Sequence, residues 1–210
     1  MSYVKRKKVY NAVKSPEELL SFMNRYIKYG IYGTDNKVYD SWNPSTESDF
    51  QLACQTKYSL CDANRCLKYG YGNCWDQVEL ERDWFLKNNY QIKTIFIWFL
   101  FEEDNNYITH SYLVYKDKIT SQYCYFEHAD SQNAGIYKFN TYKELIEYQK
   151  NKHITFNAEC GNLINDDILN HLVIHEFQPP KYGCNMEEYI CNILNSKFIY
   201  SNGNYIDLSF

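Results

Sequence analysis

The spacing of apolar residues predicts that the N-terminal third of the chain is helical. After Ser15 and Pro16, apolar residues recur at helical intervals at Leu19, Leu20, Met23, Tyr26 and Ile27. Ser15 is the predicted N-cap, Pro16 suits the first helical position, and Glu18 completes a predicted capping box. A polar loop over residues 34–50 then precedes a second predicted helical segment at residues 51–68.

A further helix is predicted from Cys74 to Lys87, where apolar residues again follow helical rows. Gly70 and Gly72 predict a tight turn before it, and Asn73 is a favourable N-cap. The row that begins at Cys74 continues through Val78, Glu81 and Phe85. Cys74 is therefore predicted to lie in the first turn of a helix.

The period changes after Asn89, and the following residues predict a sheet. Strand-like runs occupy residues 93–101, 109–115, 123–127 and 136–139. The polar turns between them, including residues 102–106, are short enough to join antiparallel strands. Thr141 and Asn185 are predicted N-caps of later helices, and residues 171–177 are typical of a strand. The predicted fold class is α+β, with the helix of Cys74 packed on an antiparallel sheet.

Length and charge narrow the class of protein. The 210 residues predict one domain over residues 15–210, preceded by a basic, solvated and partly disordered arm at residues 1–14. The net charge of −4 does not favour nucleic-acid binding. The longest apolar run, residues 95–101, is too short to cross a membrane, and residues 9–16 are too polar for a signal peptide. We therefore expect a cytoplasmic protein without nucleic-acid or membrane partners; its oligomeric state is not predicted.

The eight cysteines do not have the spacing of a zinc site. No C-x2-C pair occurs, and cytoplasmic thiols stay reduced. His171 and His175 are four residues apart but lack the Glu of an H-E-x-x-H motif. We therefore expect no metal and no cofactor. Four cysteines in helical or apolar stretches are interpreted as core residues, namely Cys54, Cys61, Cys66 and Cys191.

Cys74 differs from the other cysteines because it begins a predicted helix. The dipole and free N–H groups of a first helical turn favour negative charge, and the thiolate is the nucleophilic form of cysteine. Such a nucleophile needs a base, and the base needs an orienting group. His110, at the start of a predicted strand, is the candidate base. Glu127, at the end of the next strand, is the candidate acid, and Asp130 is the alternative.

Several segments around these residues resemble those of a known superfamily. They are Asn73-Cys-Trp-Asp-Gln, Thr109-His-Ser-Tyr-Leu-Val and Tyr125-Phe-Glu-His-Ala, with Ser15-Pro-Glu-Glu-Leu-Leu, Ile27-Lys-Tyr-Gly and Val173-Ile-His-Glu-Phe-x-Pro-Pro further away. Together they resemble the transglutaminase-like superfamily, in its branch of small microbial proteins with the papain-like cysteine-protease fold. The resemblance covers residues 15–195.

The resemblance implies a catalytic triad of Cys74 as nucleophile, His110 as general base and Glu127 as acid. The acid of this superfamily is more usually Asp, so Asp130 stays an alternative. The resemblance also implies that the backbone N–H of Cys74 supplies half of an oxyanion hole. The second donor is left open among Tyr69, Tyr71 and Trp42.

The predicted function is thiol-dependent acyl transfer, most favourably hydrolysis of a peptide or amide bond by a cysteine peptidase or amidase. The expected substrate is a peptide, a protein or a small amide. An amine acceptor in place of water would make a transamidase, and the residues do not distinguish the two. A different class is a non-catalytic binding module that retains the fold, with His110 as an ordinary hydrogen-bonded histidine. A third hypothesis is a host-directed effector that uses the same chemistry on a protein partner.

Overall fold

A computed structural model describes residues 1–40, 47–101 and 108–210, without the side chains of residues 47 and 48. The expected turn at residues 102–106 and part of the expected loop at residues 34–50 lie outside the described residues.

The described part of the chain forms eight α-helices and eleven strands. Its α-helices are α1 (Tyr3–Ala12), α2 (Pro16–Tyr26), α3 (Glu47–Thr56), α4 (Ala63–Tyr69), α5 (Cys74–Lys87), α6 (Tyr142–Glu159), α7 (Asp166–Asn170) and α8 (Met186–Leu194). Its strands are β1 (Lys28–Tyr29), β2 (Ile31–Tyr32), β3 (Val38–Tyr39), β4 (Tyr71–Gly72), β5 (Ile92–Phe99), β6 (His110–Lys116), β7 (Tyr123–Glu127), β8 (Gly135–Phe139), β9 (Leu172–Glu176), β10 (Lys197–Ser201) and β11 (Asn204–Tyr205).

The main sheet has seven strands in the order β11-β10-β9-β5-β6-β7-β8, and every neighbouring pair is antiparallel. Two short ribbons lie apart from it: β1 pairs with β4 in parallel, and β2 pairs with β3 in antiparallel orientation. The α+β class with an antiparallel sheet is therefore confirmed. No helix among the described residues is long and apolar enough to cross a membrane.

Local capping signals account for several helix boundaries. The caps predicted at Asn73, Thr141 and Asn185 are confirmed, and each is part of a complete capping box. At α2, the Ser15 hydroxyl accepts from the Glu18 N–H as predicted. The Glu18 carboxylate accepts from the backbone N–H of residue 14 instead of that of Ser15, so the predicted capping box is incomplete.

The expectation of a solvated, partly disordered arm at residues 1–14 is wrong, because residues 3–12 form α1 and pack on the domain. The Arg6 guanidinium donates to the carbonyl oxygens of Leu67 and Lys68 in α4. The buried Tyr10 hydroxyl donates to Asp83 of α5 at 2.8 Å. The segment is basic in composition, but Arg6 and Tyr10 lie four residues apart on one face of α1 and contact α4 and α5.

Two apolar cores lie on opposite faces of the main sheet. On one face, Leu80 and Phe85 of α5 belong to a cluster with Phe126 of β7. On the other face, Leu145 of α6 belongs to a cluster with Tyr125, the residue preceding Phe126. Successive residues of a strand point to opposite faces, so β7 contributes to both cores. This packing brings the N-terminus of α5 to the end of the sheet where β6 begins and β7 ends.

Candidate active site

Cys74, His110 and Glu127 meet at this end of the sheet. Cys74 is the first residue of α5, His110 is the first residue of β6, and Glu127 is the last residue of β7. In the β6–β7 register Leu113 faces Phe126. The next position toward the strand end therefore places Glu127 opposite Tyr112, on the same face as His110. Diagonal neighbours on one face of a sheet can be bridged by long side chains.

The imidazole of His110 has a partner on each side. Its Nε2 lies 2.8 Å from Glu127 Oε2, and its ring is also hydrogen-bonded to the thiol of Cys74. Because Nε2 is engaged by the carboxylate, Nδ1 is the ring nitrogen left for the thiol. Burial alone would lower the pKa of His110, but the charge of Glu127 and the hydrogen bonds from Cys74 and Glu127 raise it to about 10. These contacts therefore favour the protonated form of the ring.

The carboxylate that contacts His110 belongs to Glu127 and not to Asp130. Glu127 is 1% exposed, and its second oxygen, Oε1, accepts from the Asp130 N–H at 2.9 Å. The Asp130 carboxylate faces away: its Oδ2 lies 2.8 Å from Asn133 Nδ2 and 3.2 Å from Lys152 Nζ. Glu127 is thus fixed by hydrogen bonds at both oxygens.

Two titratable side chains near the pair, those of Lys152 and Glu81, were not assigned to the site from the sequence. Lys152 of α6 places its Nζ 3.7 Å from Glu127 Oε2. Glu81 of α5 is buried, and burial together with the charge of Glu127 raises its pKa well above the usual range. Glu81 belongs to the helical row predicted from Cys74, so its position on that face was visible in the sequence. Nothing in the local pattern of α6 indicated that Lys152 reaches a carboxylate on β7.

The turn before α5 holds Cys74 at the helix start. Asn73 Oδ1 accepts from the backbone N–H groups of Trp75 and Asp76, both at 3.1 Å. Asp76 Oδ2 in turn accepts from the Asn73 N–H at 3.2 Å. A Cβ at Gly72 would lie 2.9 Å from the Cβ of Asp76, so this close approach favours glycine. Cys74 itself is only 6% exposed.

Tyr29 is the other group in direct contact with the nucleophile candidate. Its hydroxyl is hydrogen-bonded to the thiol of Cys74 and to the backbone N–H of the same residue. Strand β1 carries Tyr29 opposite Gly72, two positions before Cys74. Sequence reasoning missed this contact, although the residue lies within the quoted Ile27-Lys-Tyr-Gly segment.

The tyrosines named from the sequence as oxyanion donors lie elsewhere. The ring of Tyr69 stacks on Tyr32 with centroids 3.5 Å apart, and the two hydroxyl groups interact with each other. The ring of Tyr71 packs beside Gly30. Trp42 lies outside the described residues.

A cavity of about 500 Å³ opens beside the histidine. Its walls include Tyr29, His110 and Glu127 on the sheet side. Helix α6 closes the opposite side with Lys152 and Phe156. A volume of this size is in the range of small-molecule sites. The cavity therefore gives a ligand access to the imidazole.

The remaining cysteines and histidines do not contact the Cys74–His110–Glu127 group directly, although Cys160 and His153 line the cavity and Cys54 lies near Tyr29. All eight cysteines lie in the described part of the chain and are free thiols. Cys61 and Cys66 are buried as expected, and Cys54 is half-buried, but the expectation of a core position for Cys191 is wrong because it is exposed on α8. His175 lies in β9, which confirms the expected strand, and burial lowers its pKa to about 4. Among the described residues, no group of three or more His, Cys, Asp or Glu is arranged to hold a metal ion.

Removing the cap of α5 should weaken both the fold and the site. For Asn73→Ala we expect a loss of about 1 kcal/mol in the free energy of unfolding, because two backbone N–H groups lose their acceptor. Since this cap also fixes Cys74, its alkylation by iodoacetamide should slow. The matched control is Asn185→Ala, which removes the same type of capping box from α8. Urea denaturation should give a similar loss for both variants, and equal slowing of Cys74 alkylation in both would contradict the positioning role.

Comparisons with protein-family models, with curated proteins and with solved structures found no match to this chain. The chemistry of the site is therefore inferred from its contacts alone.

Proposed function

We propose that this protein is an enzyme that transfers acyl groups through Cys74, His110 and Glu127, and that its reaction is hydrolysis of a peptide or amide bond. One observation carries the proposal. A single imidazole is hydrogen-bonded on one side to a thiol at a helix N-terminus and on the other to a buried carboxylate. This is the arrangement of nucleophile, base and orienting group that thiol catalysis requires.

In the proposed first step, the thiol of Cys74 has given its proton to His110, and the resulting thiolate attacks the carbonyl carbon of the substrate. A C–S bond forms, and the π electrons of the carbonyl move to its oxygen. When this intermediate collapses, the C–N bond breaks, and the leaving nitrogen takes the proton carried by His110. The product is a thioester on Cys74 and a free amine.

In the second step, His110 takes a proton from water, and the resulting hydroxide attacks the thioester. The C–S bond then breaks and returns the thiolate of Cys74 with a free carboxylic acid. Glu127 holds the ring in one orientation throughout and stabilises the imidazolium. An amine that replaces water gives a transamidase by the same steps, which is the alternative outcome at this site.

The raised pKa of His110 suits the role of proton donor. At neutral pH the proton for the leaving amine is already on the ring. The cavity beside His110 extends from the ring to α6, so it can hold a leaving group that takes its proton from His110. These features support an amide or peptide substrate whose leaving half lies in this cavity.

The transglutaminase-like superfamily and its papain-like fold stay part of the proposal. Their support is the chain order of nucleophile, histidine and acid, and the helix N-terminus packed at the end of an antiparallel sheet. Burying a carboxylate away from water costs free energy. A binding module would not need a buried carboxylate that contacts the histidine, so this cost favours a catalytic role.

Selective alkylation tests the proposed nucleophile. In a Cys160→Ser/Cys191→Ser background, which removes the two exposed thiols, we expect iodoacetamide to modify Cys74 before any other cysteine. We also expect Cys74 in the unaltered chain to react faster than Cys160 and Cys191, although Cys74 is far less exposed. His110→Ala should slow the reaction because the thiolate loses its cationic partner. Rates are measured by mass spectrometry of tryptic peptides.

The control is His171→Ala, which removes an exposed imidazole whose Nδ1 lies 3.0 Å from the carbonyl oxygen of residue 100. This variant should leave the alkylation of Cys74 unchanged. Equal labelling of all eight cysteines would contradict the proposal, and so would rapid labelling of Cys74 that persists in His110→Ala.

A further inference from the structure

The resting contacts of Cys74 mark the position that a substrate oxygen would occupy. In acyl transfer, the oxyanion is stabilised by hydrogen-bond donors that are already in place, commonly the backbone N–H of the nucleophile and one further donor. The N–H of Cys74 is bonded to the hydroxyl of Tyr29. The acceptor of that N–H therefore lies where the developing oxyanion must be.

We infer that the hydroxyl of Tyr29 is the second donor of the oxyanion hole, together with the backbone N–H of Cys74. The inference rests on the proposed function, and it assigns to Tyr29 a role in catalysis that goes beyond the triad.

The backbone around Tyr29 fixes the hydroxyl relative to the nucleophile. Strand β1 pairs in parallel with β4, which leads directly into the turn before α5. Two backbone bonds join the strands: the Lys28 N–H donates to the Gly70 oxygen at 2.9 Å, and the Gly30 N–H donates to the Gly72 oxygen at 3.4 Å. The ring of Tyr29 also contacts that of Phe50, with centroids 6.1 Å apart. This pairing holds the Tyr29 side chain beside Cys74, so its hydroxyl stays within reach of the oxyanion when the substrate oxygen replaces it at the Cys74 N–H.

The position of Tyr29 also matches the path of a substrate. Its side chain lines the cavity beside His110 and a neighbouring cleft of about 320 Å³ next to His128. A substrate chain that extends from one space into the other therefore passes Tyr29.

The hydroxyl keeps the proton that it would donate. Burial and the neighbouring thiols of Cys74 and Cys54 hold the pKa of Tyr29 well above its usual range. In the resting site the hydroxyl is bonded to the sulfur of Cys74. When sulfur commits an electron pair to the new C–S bond, it becomes a weaker acceptor, and the O–H turns to the carbonyl oxygen that receives the π electrons. On collapse these electrons return to the C=O bond, the C–N bond breaks, and His110 supplies the proton to nitrogen.

The test compares two reactions of the same thiol. Alkylation by iodoacetamide displaces iodide and develops no oxyanion, whereas acylation by p-nitrophenyl acetate passes through a tetrahedral oxyanion. For Tyr29→Phe we expect acylation to slow by about 10²–10³-fold, the usual effect of losing one oxyanion donor. Alkylation should change far less, so the ratio of the two rate constants should fall. Release of p-nitrophenolate and the mass of the acyl-enzyme measure the first reaction, and peptide mass spectrometry measures the second.

The matched control is Tyr32→Phe, which removes the hydroxyl of the next tyrosine along the chain. That hydroxyl donates to Asn36 and does not reach Cys74. The variant should leave both rate constants unchanged. If acylation of Tyr29→Phe is unchanged or faster, Tyr29 only covers the thiol, and the inference is overturned. An equal loss in both reactions also overturns it, because Tyr29 would then act on the thiol itself. If the unaltered protein is alkylated at Cys74 but never acylated, the proposed function fails as well.

Discussion

Replacing Glu127 by Gln should lower the pKa of His110 from about 10 by about 1–3 pH units. The substitution keeps the size of the side chain but removes the negative charge 2.8 Å from Nε2. Burial opposes protonation of the ring, and without the charge of Glu127 less remains to counteract the effect of burial. The imidazole resonances of His110 in an NMR titration report this change directly.

The same substitution should slow the acylation of Cys74 by p-nitrophenyl acetate by up to about 10⁴-fold, the cost of the equivalent change in a serine-protease triad. The ring loses both its preferred orientation and the charge that stabilises its protonated form. The control is Asp130→Asn, whose carboxylate contacts Asn133 and Lys152 instead of the ring. If Asp130→Asn lowers the pKa of His110 as far as Glu127→Gln does, the assignment of Glu127 as the acid is wrong.

The pKa of His110 also affects the pH dependence of stability. Its folded value of about 10 lies above its ordinary value of 6.5, so the folded state binds the proton more tightly. The resulting stabilisation is complete below about pH 6.5 and is lost as the pH rises through about 10. Removing the charge of Glu127 should reduce this stabilisation.

Truncating Phe85 to Ala should cost about 3–5 kcal/mol in the free energy of unfolding. Phe85 is fully buried on α5. Its ring contacts those of Tyr115 and Phe126 in the sheet, with centroids 4.6 Å and 5.5 Å apart. Loss of the ring therefore leaves a cavity between the helix that begins at Cys74 and the strands that carry His110 and Glu127. Guanidinium denaturation followed by circular dichroism measures the change.

The control for this variant is the next residue. Leu86→Ala removes an apolar side chain that is 53% exposed, so its effect should stay within about 0.5 kcal/mol. A loss of less than about 1 kcal/mol for Phe85→Ala would show that α5 does not depend on this contact. Because Phe85 anchors α5 to the sheet, we also expect slower alkylation of Cys74 in this variant.

Local sequence signals predicted the elements of the site well. The predicted helix from Cys74 to Lys87 has the bounds observed, because an Asn cap, preceding glycines and helical apolar rows all act within a few residues. The strand predicted at residues 123–127 is likewise confirmed. The helix of residues 3–12 was missed, because it is stabilised by contacts such as that between Tyr10 and Asp83, which are far apart in sequence.

Pairing between distant strands was equally invisible to local patterns. The sequence indicated a strand near His175, but not that β9 inserts beside β5 and joins β10 to the rest of the sheet. No local pattern indicated that residues 28–29 pair with residues 71–72. That pairing delivers Tyr29 to Cys74.

The sequence by itself determined which residue types begin and end the elements of the site: a cysteine at a helix start, a histidine at a strand start and a carboxylate at a strand end. Glu127 and Asp130 stayed alternatives, because the two residues are only three positions apart and the sequence does not show which carboxylate is directed toward His110. The tertiary structure decided this contact, since the β6–β7 register places Glu127 on the face of His110 and directs Asp130 to Lys152. The contacts of Tyr29 and Lys152 also depend on packing between distant segments. Capping and periodicity depend on neighbouring residues in the sequence, whereas the distances between Cys74, His110 and Glu127 depend on how helices pack on the faces of the sheet.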